Sequence, residues 1–415
     1  MRLIHTADWH LGQTLHGASR EYEHARFLDW LLEQIAEQAA DALLIAGDVF
    51  DGQNPPIPAL AQFYRFLARA TLRFPDLDIV VVAGNHDSGS RLEAPSPLLN
   101  EMGVRVIGGL PCDGDGGFDP ERMVFPLHDR SGAVAARCVA MPYIRMADLP
   151  PVEEEEGVDP LIEGVRRLYA AAAEAGRRNL RPGEALILTG HCYMTGASLS
   201  ELSERKILGG NQHALPVDVF PEDAAYVALG HLHRAQAVGG RETVRYSGSP
   251  IPLALDENAY AHQVALVEFA SGRMVEHKPL RVPRFVAIHR LPASGKAAAP
   301  EAVLEELRQL ALDPALPRES WPYLEVSVDL AEPRPALRDE VDAVLAGRPA
   351  RLLKLTARLT GSGETLAEAA PDIELAALAP EDVFRRLYAR SHEGEPSPAL
   401  LAAFHELVAS VQESA

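Results

Sequence analysis

One pattern, repeated five times, constrains this chain more than anything else. A short apolar run ends in one or two small residues, and a side chain able to hold a metal follows at once. The five runs are Leu3-Ile4-His5-Thr6-Ala7-Asp8, Ala42-Leu43-Leu44-Ile45-Ala46-Gly47-Asp48, Ile79-Val80-Val81-Val82-Ala83-Gly84-Asn85, Leu186-Ile187-Leu188-Thr189-Gly190-His191 and Tyr226-Val227-Ala228-Leu229-Gly230-His231. Short runs of this kind are buried strands. Side chains just past strand ends, along one edge of an α/β sheet, are where such folds place their sites. Glycine at the strand end lets the chain turn sharply and come close to a ligand. Two runs carry a second histidine two residues on, in Asp8-Trp9-His10 and His231-Leu232-His233. Residues two apart on extended backbone point the same way, so each pair can reach one centre. A lone Asp or His after a strand is usually a cap or a satisfied polar group. Five coincident placements are not explained that way.

Helical patterns lie between the runs. Arg20 to Ala39 carries Phe27, Leu28, Leu31, Leu32 and Ile35 at helical spacing, and Ile57 to Arg73 and Leu161 to Ala175 read likewise. Asp78 to Ala83, Ala185 to Thr189, Ala225 to Leu229 and Gln263 to Phe269 read as strands, and 247–250 as a loop. The fold class is therefore layered α/β. Composition shifts near Arg281. Strand patterns at Arg284 to Arg290, Tyr323 to Leu330 and Arg351 to Leu359 alternate with helices at Pro300 to Leu310 and Pro335 to Leu345, enough for a small α+β domain. Gly361-Ser362-Gly363 begins a linker, and Glu153 to Glu156 an acidic solvated loop. Two amphipathic helices follow. In the last, Leu400, Leu401, Phe404, Leu407, Val408 and Val411 form one apolar stripe, which either packs on its own domain or docks a partner. The expected domains are 1–275, 281–360 and 375–415.

The seven ligand candidates are Asp8, His10, Asp48, Asn85, His191, His231 and His233. Oxygen and imidazole donors without thiolate suit Mn, Fe or Zn. Seven are too many for one tetrahedral ion and suit two ions sharing a bridge, a known arrangement for phosphoryl hydrolysis. His86, next to Asn85, can donate to a phosphate oxygen or leaving group, and Asp87 is placed to hold its tautomer. His5, His16, His24, His213 and His262 lack this context and read as structural. Cys112, Cys138 and Cys192 are odd in number and lack CxxC spacing, which favours a reducing cytoplasm over a disulfide framework. Met1 to His5 runs straight into a motif, leaving no room for a signal peptide, and no apolar run approaches a membrane span.

Charge sets a limit on partners. With 39 basic and 59 acidic residues the net charge is −20, which argues against holding nucleic acid by the chain's own surface. Bound metal or a partner can supply that grip.

Taken together, Asp8-x-His10, Gly47-Asp48, Gly84-Asn85-His86-Asp87, Gly190-His191 and Gly230-His231-x-His233 resemble the motif set of calcineurin-like metallophosphoesterases. The segments from His5 to Gly12, Gly47 to Asp51, Ala228 to Gln236 and Arg245 to Pro252 narrow the likeness to the bacterial SbcD nuclease subunits, over essentially all of residues 1–270. The resemblance implies a four-layer α/β sandwich, a small α+β capping domain and C-terminal helices that dock the ATPase SbcC. It implies a first metal on Asp8, His10 and His233, a second on Asn85, His191 and His231, and Asp48 as bridge. His86 and Asp87 are the implied catalytic pair, with Asp51, also Asp in the bacterial branch, left open. It further implies two Mn²⁺ ions, DNA ends and hairpins as substrates, a homodimer within a heterotetramer, and ATP-dependent 3′–5′ double-strand exonuclease and hairpin endonuclease activity in recombination, repair and replication. Two other readings stand beside it. One is a metallophosphoesterase for a non-DNA substrate, since many such enzymes share the five motifs. The other is a non-catalytic scaffold, which is expected to lose metal ligands; none is missing here.

Overall fold

The computed structural model describes residues 1–152, 157, 159–198 and 214–360, and beyond them 381, 384, 385, 388, 396, 397, 400, 401 and 403–405. The acidic run at 153–156, His213, the linker at 361–363 and most of the expected helices at 375–415 lie outside the described residues.

Two six-stranded sheets form the body. The first runs in the order Arg273–Arg281, Gln263–Ala270, Arg2–Thr6, Ala42–Ala46, Asp78–Val82, Val104–Ile107. The second runs Gln236–Val238, Arg241–Tyr246, Tyr226–Gly230, Ala185–His191, Val134–Val139, Val124–His128. The central strands of each are parallel, so all five ligand-bearing strand ends fall on one edge.

Strand alternation builds the layers. Leu43, Ile45, Ile79 and Val81 face the helices Glu21–Glu37 and Ile57–Arg73, against Phe27, Leu31, Phe63 and Phe66. Their neighbours Ala42, Leu44, Val80 and Val82 face the other way, onto Ala185, Ile187, Tyr226 and Ala228 of the second sheet. Leu186, Leu188, Val227 and Leu229 then pack under the helix Pro160–Arg178, on Val165, Leu168 and Tyr169. The order helix, sheet, sheet, helix is the expected four-layer sandwich. The helix Pro160–Arg178 starts on Asp159, whose Oδ1 accepts the Leu161 N–H at 2.9 Å.

A three-stranded sheet follows, in the order Ile288–Leu291, Tyr323–Leu330, Arg351–Leu359, with the helices Pro300–Gln309 and Leu337–Leu345. The expected strand from Arg284 begins only at Ile288. Residues Met1–Asp329 and Pro335–Arg358 form one compact unit, so the expected boundary near 281 is not a gap in packing. Val286, Ile288 and Tyr323 pack on Leu15 and Leu255. The Tyr323 hydroxyl bonds Glu23, which forms a buried ion pair with Arg20. Leu330–Arg334 and Leu359–Ala415 form a second unit. Within it Phe404 of the apolar stripe stacks on Phe384, with centroids 4.3 Å apart. No helix among the described residues is long and apolar enough to cross a membrane.

Candidate metal centre

Each ligand candidate sits where a strand gives way to a loop, and four of them hold strained backbone. Asp8, His10, Asp48 and His231 have φ of 55, 47, 49 and 103°, a region that non-glycine residues rarely adopt and that costs on the order of 1–3 kcal/mol each. The surrounding fold enforces it. The Asp8 and His10 amides donate to the carbonyls of Gly47 and Asp48, each at 3.0 Å, tying the first two loops together.

The glycines before the ligands are required sterically. A Cβ at Gly47 would lie 2.2 Å from His191 Nδ1, and one at Gly84 2.2 Å from Asp48 Oδ1. At Gly230 it would meet the Ala46 carbonyl oxygen at 2.0 Å. The loops are close enough that only a hydrogen fits.

The seven candidates converge. Ligand atoms of Asp8, His10 and His233 lie within 4.8 Å of one another, as do those of Asp48, His191 and His231. Asn85 Oδ1 sits 3.0 Å from both His191 Nε2 and His231 Nδ1, which joins it to the second group. Asp48 Oδ2 is 3.1 Å from His191 Nε2 and 3.6 Å from His10 Nε2, between the two groups.

The donors fit divalent cations. Asp8 Oδ2 and His10 Nε2, on two residues of the first group, are buried atoms without a hydrogen-bond partner among the described residues. Such atoms cost free energy unless something satisfies them. Burial pushes Asp8 up to about 7. Burial also opposes ionisation of Asp48, but His191 and His10 outweigh it and hold that carboxyl below its usual range. His191, which burial alone would lower, is raised to about 9 by Asp48. Burial drives His231 down to about 3, keeping it neutral as a ligand must be.

Neighbours orient the rings. His233 Nδ1 lies 2.7 Å from Glu257 Oε1, and the other oxygen of that buried carboxylate accepts the Leu253 N–H at 2.7 Å. His10 Nδ1 faces Asp51 Oδ1 at 3.1 Å, and His191 Nδ1 donates to the Ala46 carbonyl at 2.9 Å. Such contacts fix which nitrogen faces the metal. Asp51, left open by the sequence, thus orients His10. Glu257 was missed; nothing local in its turn marks it.

His86 stands over the first group, its ring centroid 4.7 Å from that of His10. The expected pairing of Asp87 with His86 is corrected. The buried Asp87 carboxylate accepts backbone N–H groups of Val49, Phe50 and Gly84 at 2.9–3.1 Å, pinning two ligand loops. It faces away because adjacent residues diverge. His86 Nδ1 instead lies 2.9 Å from the Asp51 carbonyl oxygen. His5 and His262 hold structural bonds, to the Tyr226 hydroxyl and to the Ser249 and Glu257 carbonyls.

Comparison with known proteins bears on this geometry. The family model described as calcineurin-like phosphoesterase matches residues 1–235. One described as type 5 capsule protein repressor C-terminal domain matches 284–392. The SbcD component of the SbcCD nuclease of Rhodobacter capsulatus is 44% identical over 92% of this chain and 93% of its own. The component of the same name from Escherichia coli K12 is 34% identical over 93% and 92%. That from Bacillus subtilis is 38% identical over 66% and 67%.

Proposed function

The chain belongs to the calcineurin-like phosphoesterases and within them to the SbcD nuclease subunits, metal-dependent nucleases, and on that premise we propose that it hydrolyses DNA phosphodiesters at two metal ions as the partner of an SbcC-type ATPase. The observation that carries the two-ion reading is Asp48 Oδ2, within 3.1–3.6 Å of a histidine from each donor group. Asp8, His10 and His233 would hold one ion and Asn85, His191 and His231 the other, with Asp48 placed to serve both. Divalent ions there, Mn²⁺ by family likeness, supply Lewis acidity and neutralise charge that develops on phosphate oxygens.

The chain's own residues do the rest. The carbonyl of Asp51 can only accept, so His86 Nδ1 carries the proton of that contact and Nε2 is left for substrate. In its charged form His86 donates from Nε2 to the phosphate or the leaving oxygen. The Asp48 carboxylate accepts the His86 backbone N–H at 2.8 Å, so the residue placed to serve the metals also seats the acid. Residues 281–360 act as a cap, and the segment 375–415 docks the ATPase. A net charge of −20 suits a subunit whose partner supplies most of the grip on DNA.

The test is cleavage of a labelled linear duplex and a hairpin by the purified chain with Mn²⁺, with and without the ATPase and ATP. Manganese-dependent cleavage that rises with both additions is expected. Turnover of a generic phosphodiester without any DNA cleavage would move the assignment to another phosphoester substrate.

A further inference from the structure

The open side of the sandwich holds a second feature, which shares with the metal centre only His233. Between the strand Arg273–Arg281, at one edge of the first sheet, and Arg241–Tyr246, near the edge of the second, lies a cleft of about 670 Å³. Elsewhere the space between the sheets is filled by apolar residues such as Leu3, Tyr226 and Phe269. Here the described lining carries Arg234, Arg245, Arg281 and three histidines, and no carboxylate. That is unexpected in a chain with 59 acidic and 39 basic residues.

The topology brings the cleft to the catalytic edge. Arg234 follows the ligand His233 directly. Ser247–Ser249, which lines the cleft, leaves a strand parallel to Tyr226–Gly230 at its ligand-bearing end. Arg281 pairs in register with Gln263, at the end of the antiparallel strand that lies beside the exit of Arg2–Thr6. From there the cleft runs along the sandwich to His277.

The cations have charge to spare. Arg245 Nε is buried without a hydrogen-bond partner among the described residues, and the carboxylate it meets there, Glu242 at 2.5 Å, is an exposed residue. Arg281 Nη1 donates to the Ala261 carbonyl and Gln263 Oε1, neither of which neutralises it. Arg234 lies over the Tyr260 ring, 5.9 Å from its centroid. The buried carboxylate of Glu257 is taken by His233 and the Leu253 amide. Burial and the nearby Arg245 together hold His277 down to about 4.

We propose that this cleft binds the backbone phosphates of the nucleic-acid strand on one side of the scissile bond, through Arg234, Arg245 and Arg281. The assignment rests on the nuclease reading above. Guanidinium groups suit phosphate oxygens, and with Ser247–Ser249 on the lining and no carboxylate the recognition is of charge, not of base sequence.

The experiment uses the full-length chain with metal. Anisotropy of a labelled oligonucleotide is measured across a salt series, and inorganic phosphate is added as a competitor. Arg245→Gln and Arg281→Gln should each weaken binding several-fold and lower the slope of log K against log salt by about one. Arg245→Lys should restore most of the slope, because a phosphate needs only the charge. Arg130→Gln removes equal charge from an exposed arginine outside the cleft and is expected to change neither. Circular dichroism and metal content check that each variant is folded and loaded. Oligonucleotide binding that is unchanged in both glutamine variants overturns this assignment alone. Loss of phosphate competition with unchanged oligonucleotide binding also overturns it, and makes the cleft a site for free phosphate. If the parent chain hydrolyses a generic diester but neither binds nor cleaves the oligonucleotide, this assignment and the nuclease reading fall together.

Discussion

His86 and Glu257 show how much one side chain's neighbours decide. His86 contributes no atom to either donor group as assigned here, and its ring is held by the Asp51 carbonyl. Replacing it by alanine should therefore leave metal content intact and lower cleavage by about 10²–10⁴, the usual worth of a general acid. Metal analysis beside the rate measurement checks this. Loss of an ion in His86→Ala would instead make it a ligand, an arrangement the near approach of His10, Asp51 and His86 would permit. Glu257 works through His233. In Glu257→Gln the charge that holds Nδ1 disappears, and metal affinity at the Asp8, His10 and His233 group should fall about 10–100-fold. Titration with Mn²⁺ would detect it, and an unchanged affinity would reduce Glu257 to a bond for the Leu253 amide.

The strands and loops explain which parts could be read in advance. Buried parallel strands such as Ala42–Ala46 announce themselves, because both faces must be apolar and the residue beyond must be small. Strands at or next to a sheet edge do not. Arg241–Tyr246 and Arg273–Arg281 are half polar, since one side meets solvent or the cationic cleft, and neither emerged from the pattern. Asp87 was found for the wrong reason. Its proximity to His86 in the sequence suggested a catalytic pair, whereas its carboxylate closes the loops after two strands. Glu257 comes from a turn 24 residues beyond its histidine, a distance no local motif spans. The glycines give the loop-scale prediction. In Gly84→Ala the new methyl must push back the Asp48 backbone nitrogen, 2.4 Å away, as well as its side chain. A displacement of that size at the bridge should cost about a hundredfold in turnover. Rates near those of the parent would mean that the loop yields more easily than its packing indicates.

At the scale of the molecule, buried histidines make stability respond to pH. His24 is fully buried, and burial, helped by Arg20, lowers it to about 3. Its unfolded value is about 6.5. Between those limits the unfolded chain binds the extra proton, so the His24 contribution is complete above pH 6.5 and is lost as pH falls towards 3. His24→Gln removes that term. Urea denaturation of the metal-free parent and variant at pH 7.5 and 5 should show the difference moving towards the variant by on the order of 2 kcal/mol at the lower pH. Comparing the two chains cancels the raised carboxyls of Asp8 and Asp87, which act in the opposite direction. No shift between the two pH values would mean that His24 binds its proton in the fold as readily as in the unfolded chain. The layered α/β class was legible in the alternation of strands and helices, whereas the four-layer order came with the family resemblance, since five strand ends do not by themselves divide the strands between two sheets. The packing of Val286, Ile288 and Tyr323 onto the main body was not, since contacts between residues 15 and 323 leave no periodic trace.

Each donor group draws on both sheets. Asp8 and His10 leave the first sheet and meet His233 from the second, while Asp48 of the first meets His191 and His231 of the second. An ion in either place is therefore a rivet through the sandwich as well as a reagent. By mass action, an ion at a hundred times its dissociation constant adds about 2.7 kcal/mol to the folded state. Chelation should then lower the melting temperature of His86→Ala as much as that of the parent, although the variant has little activity to lose. A chain built this way could not drift far from such ions, because the donors that would serve the cut would also hold its two halves together.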